Sequence, residues 1–178
     1  MRHLNAGRKF DRNSSNRRAM FKNLVANLLA HGQITTTVAK AKEVRRITER
    51  VITKAKRVGP ELNVAEVSAP VARHRLAVKR DIGKFLPKFA ERTVNKDEVE
   101  TLNLVEHLFL EVAPKFMDRP GGYTRIIKAN NRRGDNAPLA IIQLIGFEKV
   151  KRVAPESLAV KAPKVRATAP AAAPASEG

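Results

Sequence analysis

Four histidines and a run of acids are the side chains here that could serve a catalyst, and their spacing argues against it. His3, His31, His74 and His107 lie far apart, and none has a second imidazole at the helical spacing of a metal pair. They read as helix-end, surface or RNA-contacting residues. Asp97, Glu98, Glu100, Glu106 and Glu111 have the composition of a divalent-ion nuclease cluster, but two-metal chemistry needs carboxylates converging in a cleft, and these fall at helix starts and on solvated faces. Gly121-Gly122 precedes a strand-like segment instead of joining a strand to a helix, so it is no phosphate loop. Arg133-Gly134-Asp135 reads as turn chemistry, with Gly134 supplying a positive φ and Asp135 or Asn136 bonding the turn backbone. The residues therefore predict no catalytic group and no metal ligand.

What the chain has in quantity is positive charge. Its 178 residues hold 35 Lys and Arg against 17 Asp and Glu, a net charge of +18. Such a charge repels itself in the folded state, and a polyanionic partner, nucleic acid first, explains it most simply. Residues 1–60 hold 15 Lys and Arg against Asp11, Glu43 and Glu49, so two-thirds of the excess lies in the first third. Aromatic residues make up only 4%, too few for a base-stacking platform. Backbone and shape reading of structured RNA is the expected mode, with architectural DNA binding as the alternative. Without Cys there is no disulfide, which suits a reducing compartment. No apolar run approaches the roughly 18 residues of a membrane span, and no signal h-region follows the basic start, so a soluble, non-secreted protein is expected.

The elements that must position these cations follow in order. Residues 1–13 have neither helical nor strand period and predict a basic arm, disordered alone in water. Ser14 and Ser15 offer N-caps to a helix whose stripe is Phe21, Leu24, Val25 and Leu28, and Gly32 can end it. Arg17, Arg18 and Lys22 occupy its first turns, where cations oppose the helix dipole and an anion would relieve them. Gln33-Ile34-Thr35-Thr36-Thr37 predicts a brief strand ending in a threonine N-cap. A second helix buries Ala41, Val44, Ile47, Val51, Ile52 and Ala55, and Gly59-Pro60 stops it. Lys42, Arg46 and Arg50 stand at i, i+4 and i+8 on it, a like-charge line suited to phosphates.

Residues 60–70 predict a loop, and residues 71–81 a short basic helix carrying Arg73 and Arg75. Ile82, Phe85, Leu86 and Phe89 keep a helix-like spacing through Gly83 and Pro87, which predicts a short helical insertion over 82–100, packed on the outside. Asn103 to Glu106 has capping-box spacing for the most buried helix, packed under a hairpin and fraying at Pro114. The hairpin spans residues 120–145: Tyr123 to Lys128, a basic loop with Arg132 and Arg133, then Pro138 to Ile145. Of residues 154–178, 13 of 25 are Ala or Pro, which predicts a flexible tail from about residue 148.

Several motifs occur together in one order: Met1-Arg2-His3, Arg12-Asn13-Ser14-Ser15 with Arg17, Ala19 and Met20, and Thr35-Thr36-Thr37 followed by Lys40-Ala41-Lys42-Glu43 and Arg45-Arg46. Arg119-Pro120-Gly121-Gly122-Tyr123-Thr124-Arg125-Ile126 and Gly134-Asp135-Asn136-Ala137-Pro138 complete the set. In these the chain resembles the family of the bacterial large-subunit ribosomal protein numbered seventeen, over roughly residues 1–57, 71–81 and 103–147. The resemblance implies an α+β fold, several helices packed on a small sheet containing the C-terminal hairpin, with the basic N-terminal arm embedded in RNA; the segment at about 82–100 and the disordered tail expected after Phe147 depart from the family's shorter members. It implies a non-enzymatic constituent of the large ribosomal subunit, without a cofactor and monomeric within the cytoplasmic ribosome. The partners implied are 23S rRNA near the tunnel exit and neighbouring large-subunit proteins, with no membrane and no small-molecule substrate.

Charge and resemblance together predict RNA contacts from Arg2, His3, Arg8, Lys9, Arg12 and Asn13 of the arm and from Arg17, Arg18 and Lys22 of the first helix. Lys40, Lys42, Arg45 and Arg46 are expected from the second helix, and Arg73 and Arg75 from the third. A second contact is expected at the hairpin, from Tyr123, Arg125, Lys128, Arg132 and Arg133. The expected organisation is an arm over 1–13, a ribosomal domain over 14–147 with 82–100 inserted, and a tail over 148–178. Free nucleic-acid architecture and nucleic-acid processing are the rival functions.

Overall fold

Asn13 starts the first helix: its side chain accepts the Asn16 amide at 2.9 Å and the Ser15 hydroxyl at 3.2 Å, so the cap precedes both serines expected to supply it. A computed structural model describes residues 7–58, 69–93 and 99–147. Arg2 and His3, most of the 60–70 loop, Asp97 and Glu98, and the Ala/Pro-rich tail lie outside the described residues.

Helix α1, Ser14–His31, buries Phe21, Val25, Ala26, Leu28, Leu29 and Ala30. Gly32 ends it at φ 74°, with its amide on the Leu28 carbonyl at 2.9 Å. Its own carbonyl accepts the Leu144 amide at 2.8 Å, so the helix cap is also a sheet contact. A Cβ here would stand 3.1 Å from that of Phe147, so left-handed backbone and close packing both select glycine.

Strand β1, Gln33–Thr37, runs directly into α2, Val38–Lys56. Thr37 holds the N-cap position of α2 without making the side-chain bond expected of it. β1 pairs antiparallel with β5, Pro138–Leu144, which pairs antiparallel with β4, Thr124–Asn131, in the order β1-β5-β4. The long hairpin is thus present as expected, and the first strand joins its far edge, with Thr35 opposite Ile141 and Ile126 opposite Ile142. Alternate residues Ala140, Ile142 and Leu144 of β5 are buried. Against the sheet lies α2, through a stripe that includes Ala41, Val44, Val51, Ile52 and Ala55.

Helix α3, Ala69–Gly83, packs on α2, and Lys54 reaches Asp81 across the contact at 2.6 Å. The helical insertion expected over 82–100 is not what forms. Ile82 and Leu86 are buried at the end of α3, and after Pro87 the chain makes β2, Phe89–Thr93, paired antiparallel with β3, Val99–Asn103. Pro87 cannot continue a helix, and the pairing sets Arg92 opposite Glu100, a favourable cross-strand pair. This second hairpin lies against α1.

Asn103 then caps α4, Leu104–His107, accepting the Glu106 amide at 3.5 Å. The chain continues through a π turn, Leu108–Val112, into α5, Ala113–Lys115. The π bond runs from the Ala113 amide to the Leu108 carbonyl, directly before Pro114, which has no N–H for the Leu110 carbonyl and whose ring crowds that turn. Leu104, Leu108, Phe109, Val112, Ala113 and Phe116 are buried. This segment packs on α1 and α2, and α2 takes the place under the hairpin that the sequence assigned to it.

Candidate nucleic-acid interface

Five arginines of the arm and first two helices line one cleft. Within the arm, Phe10 meets Phe21 edge-on with centroids 5.9 Å apart, which anchors the chain before α1. Arg8, Arg17 and Arg18 from the arm and α1 face Arg46 and Arg50 from α2 across a cleft of about 550 Å3. Glu43 is the one acid lining it, with Phe21, Ile47 and Phe85 also in its walls. The ion pairs among the described residues, Arg45–Glu49, Lys54–Asp81 and Arg132–Asp135, and the close His107–Glu111 contact include none of these five arginines and not Glu43. Five guanidinium groups thus converge on the cleft against one carboxylate.

Arg46 and Arg50 also border a shallower groove with Lys54 and Arg57, so the exposed face of α2 is a cationic ridge between two hollows. Lys42 is exposed on the same helix, and Lys40 and Lys22 are half-buried. Arg45 is held by Glu49 at 3.3 Å, and Glu49 in turn accepts the Thr124 hydroxyl at 3.0 Å, tying α2 to β4. Lys9, Arg12 and Asn13 are exposed beside the cleft's edge in sequence, with Asn13 committed to the helix cap. Arg73 is exposed and Arg75 half-buried on α3, outside the cleft.

The hairpin carries a separate basic patch. Arg125, Lys128, Arg132 and Arg133 are exposed. Arg132 forks onto both Asp135 oxygens, and Asp135 also accepts the Ala137 amide at 3.2 Å. The Arg132 hydrogen bond, and secondly the Ala137 amide, hold the Asp135 carboxyl down at about 2, while the same pair raises the Arg132 guanidinium. Gly134 at φ 106° completes the turn, and Arg133 is outside the Arg132–Asp135 pair.

Tyr123 is 1% exposed, its ring 5.1 Å from that of Phe116, and Lys56 donates to its hydroxyl at 3.2 Å. Its placement is that of a core residue. Lys56 also donates to the Arg119 carbonyl, so this half-buried lysine braces the turn before β4. Arg50, missing from the residues expected to bind, lines both hollows; its place on the Lys42-Arg46-Arg50 line was the signal for it. His107 is buried too, with Nε2 3.1 Å from the Leu29 carbonyl oxygen and Nδ1 3.2 Å from a Glu111 oxygen but out of hydrogen-bond alignment. Among the described residues no three His, Asp or Glu side chains come together to hold a metal ion, and no helix is long and apolar enough to cross a membrane.

The sequence model of the family described as Ribosomal protein L17 matches residues 20–145. Large ribosomal subunit protein bL17 of Sorangium cellulosum (strain So ce56) is 44% identical over 147 residues, 82% of this chain and 83% of that protein. A match over most of the α+β core, added to the arginine-lined cleft and the basic hairpin, leaves one conclusion: the chain belongs to the ribosomal protein L17 family, a family of structural components and not of enzymes.

Proposed function

We propose that this chain is a structural constituent of the large ribosomal subunit that binds folded 23S rRNA in the bacterial cytoplasm and supports assembly of the particle. The observation that carries the reading is the convergence of Arg8, Arg17, Arg18, Arg46 and Arg50 on one cleft, outside every ion pair among the described residues. Guanidinium groups held this way suit phosphate oxygens, which they can meet with two parallel hydrogen bonds. Arg2, His3, Lys9 and Arg12 of the arm extend the contact along the RNA phosphates. Arg73 and Arg133 add contacts from α3 and from the hairpin loop.

The test is twofold. The chain should cosediment with large subunits through a moderate-salt gradient, and its binding to naked large-subunit RNA should weaken by about 0.7 to 0.9 log units per log unit of salt for each phosphate neutralised. Recovery at the top of the gradient, or a nearly flat salt titration, would sink the reading; equal binding to duplex DNA would move it to a free architectural protein.

A further inference from the structure

The cleft between the arm, α1 and α2 has a property that phosphate binding alone leaves unused. Ile47 and Phe85 are half-buried in its walls and Phe21 lies beneath, so apolar surface stands open among the arginines. A phosphate gains nothing from such a wall, whereas the face of a base gains by stacking or packing on it. The volume, about 550 Å3, falls within the roughly 300–1,000 Å3 of small-ligand sites. A duplex backbone would lie across its mouth and leave the interior empty.

Glu43 sharpens the identity of the occupant. It is half-buried in a cleft of five arginines, yet it belongs to none of the ion pairs among the described residues. A carboxylate in that place repels phosphate and only accepts hydrogen bonds. A base edge that presents adjacent N–H donors matches it. Guanine offers its ring imino and exocyclic amino groups side by side, whereas uracil flanks its single imino group with carbonyl oxygens that a carboxylate repels.

We propose that the cleft takes one unstacked guanine nucleotide of the RNA, its base against Ile47 and Phe85, its donor edge on Glu43, and its flanking phosphates on Arg17, Arg18, Arg46 and Arg50. This inference rests on the RNA-binding reading and names the nucleotide at the centre of it. The spacing along α2 suits such an occupant. Glu43, Ile47 and Arg50 succeed one another at intervals of four and three residues, so acceptor, apolar wall and cation line one helix face.

The experiment uses the full chain and three hairpin RNAs that differ at one place: fully paired, with a single unpaired guanosine, or with a single unpaired uridine. Titrated at one salt concentration, the guanosine bulge should bind about tenfold tighter than the paired stem, the scale of one stacked base. The uridine bulge should fall between them. Glu43→Gln, with folding checked by circular dichroism, should bring the guanosine-to-uridine ratio close to one. Equal binding of all three RNAs overturns the nucleotide site and leaves the RNA-binding reading standing. Binding of none overturns that reading itself. An unchanged ratio in Glu43→Gln overturns the assignment of guanine.

Discussion

Asp135 shows how one side chain decides what its neighbours are free to do. Its carboxyl ties Arg132 and the Ala137 amide into the hairpin turn, so of two adjacent loop arginines one is a structural strut and the other faces solvent. The folded carboxyl lies at about 2, below its ordinary 3.8, so the turn's ion pair is fully present above 3.8 and is lost as pH falls toward 2. A nuclear magnetic resonance titration should therefore show the Ala137 amide and the Asp135 carboxyl moving together with a midpoint near 2 and little change at pH 4 and above. A midpoint near 4 would mean that the turn is open in solution. The turn itself was readable from Arg133-Gly134-Asp135-Asn136, because Gly and Asx residues act on their own backbone within a few positions. Tyr123 was not, because what buries its hydroxyl is Lys56, 67 residues away in the chain. Local rules reach the first kind of residue and miss the second.

At the scale of elements the same division holds. Helix α2 was legible as an apolar stripe, since it buries one face that repeats with the helical period, whereas the Phe21, Val25 and Leu28 stripe of α1 is only part of a burial that also takes in Ala26, Leu29 and Ala30. The β2–β3 hairpin was not legible, since Phe89 is 55% exposed and Val99 62% exposed, leaving no buried alternation for a period of two to report. Its apolar residues lie after α3 at a spacing that imitates another helical turn. The β4–β5 hairpin was legible as strands, while the division of its charges was not, and that division makes a prediction about the element. Reversing Arg133 should weaken binding to large-subunit RNA and lower the salt slope by about 0.7 to 0.9, one phosphate's share, with the fold intact. Reversing Arg132 should act differently: it removes the partner of Asp135, so the amide pattern of residues 131–137 should change along with any loss of affinity. If the two reversals act alike on both affinity and amide pattern, the loop is not divided as the turn geometry requires.

Over the whole molecule, the core and the contact surface are separable except where the arm enters. The arm's last residues do two things: Phe10 packs on Phe21, and Asn13 caps α1, whereas Arg8 only lines the cleft and Lys9 is exposed. Removing residues 2–12 therefore removes a packing contact along with the charges, and a defect in that variant would have two causes. Removing residues 2–9 keeps Phe10 and Asn13 and takes away Arg2, His3, Arg8 and Lys9. The shorter deletion should leave thermal stability close to that of the full chain, and the longer one should lower it by about 1 kcal/mol, the scale of one aromatic pair. Both should incorporate poorly into large subunits, because each loses Arg2, Arg8 and Lys9, which the proposed function places on RNA phosphates. Normal incorporation of the chain lacking 2–9 would place the main contact on α1, α2 and the hairpin, and would leave the arm a packing element only.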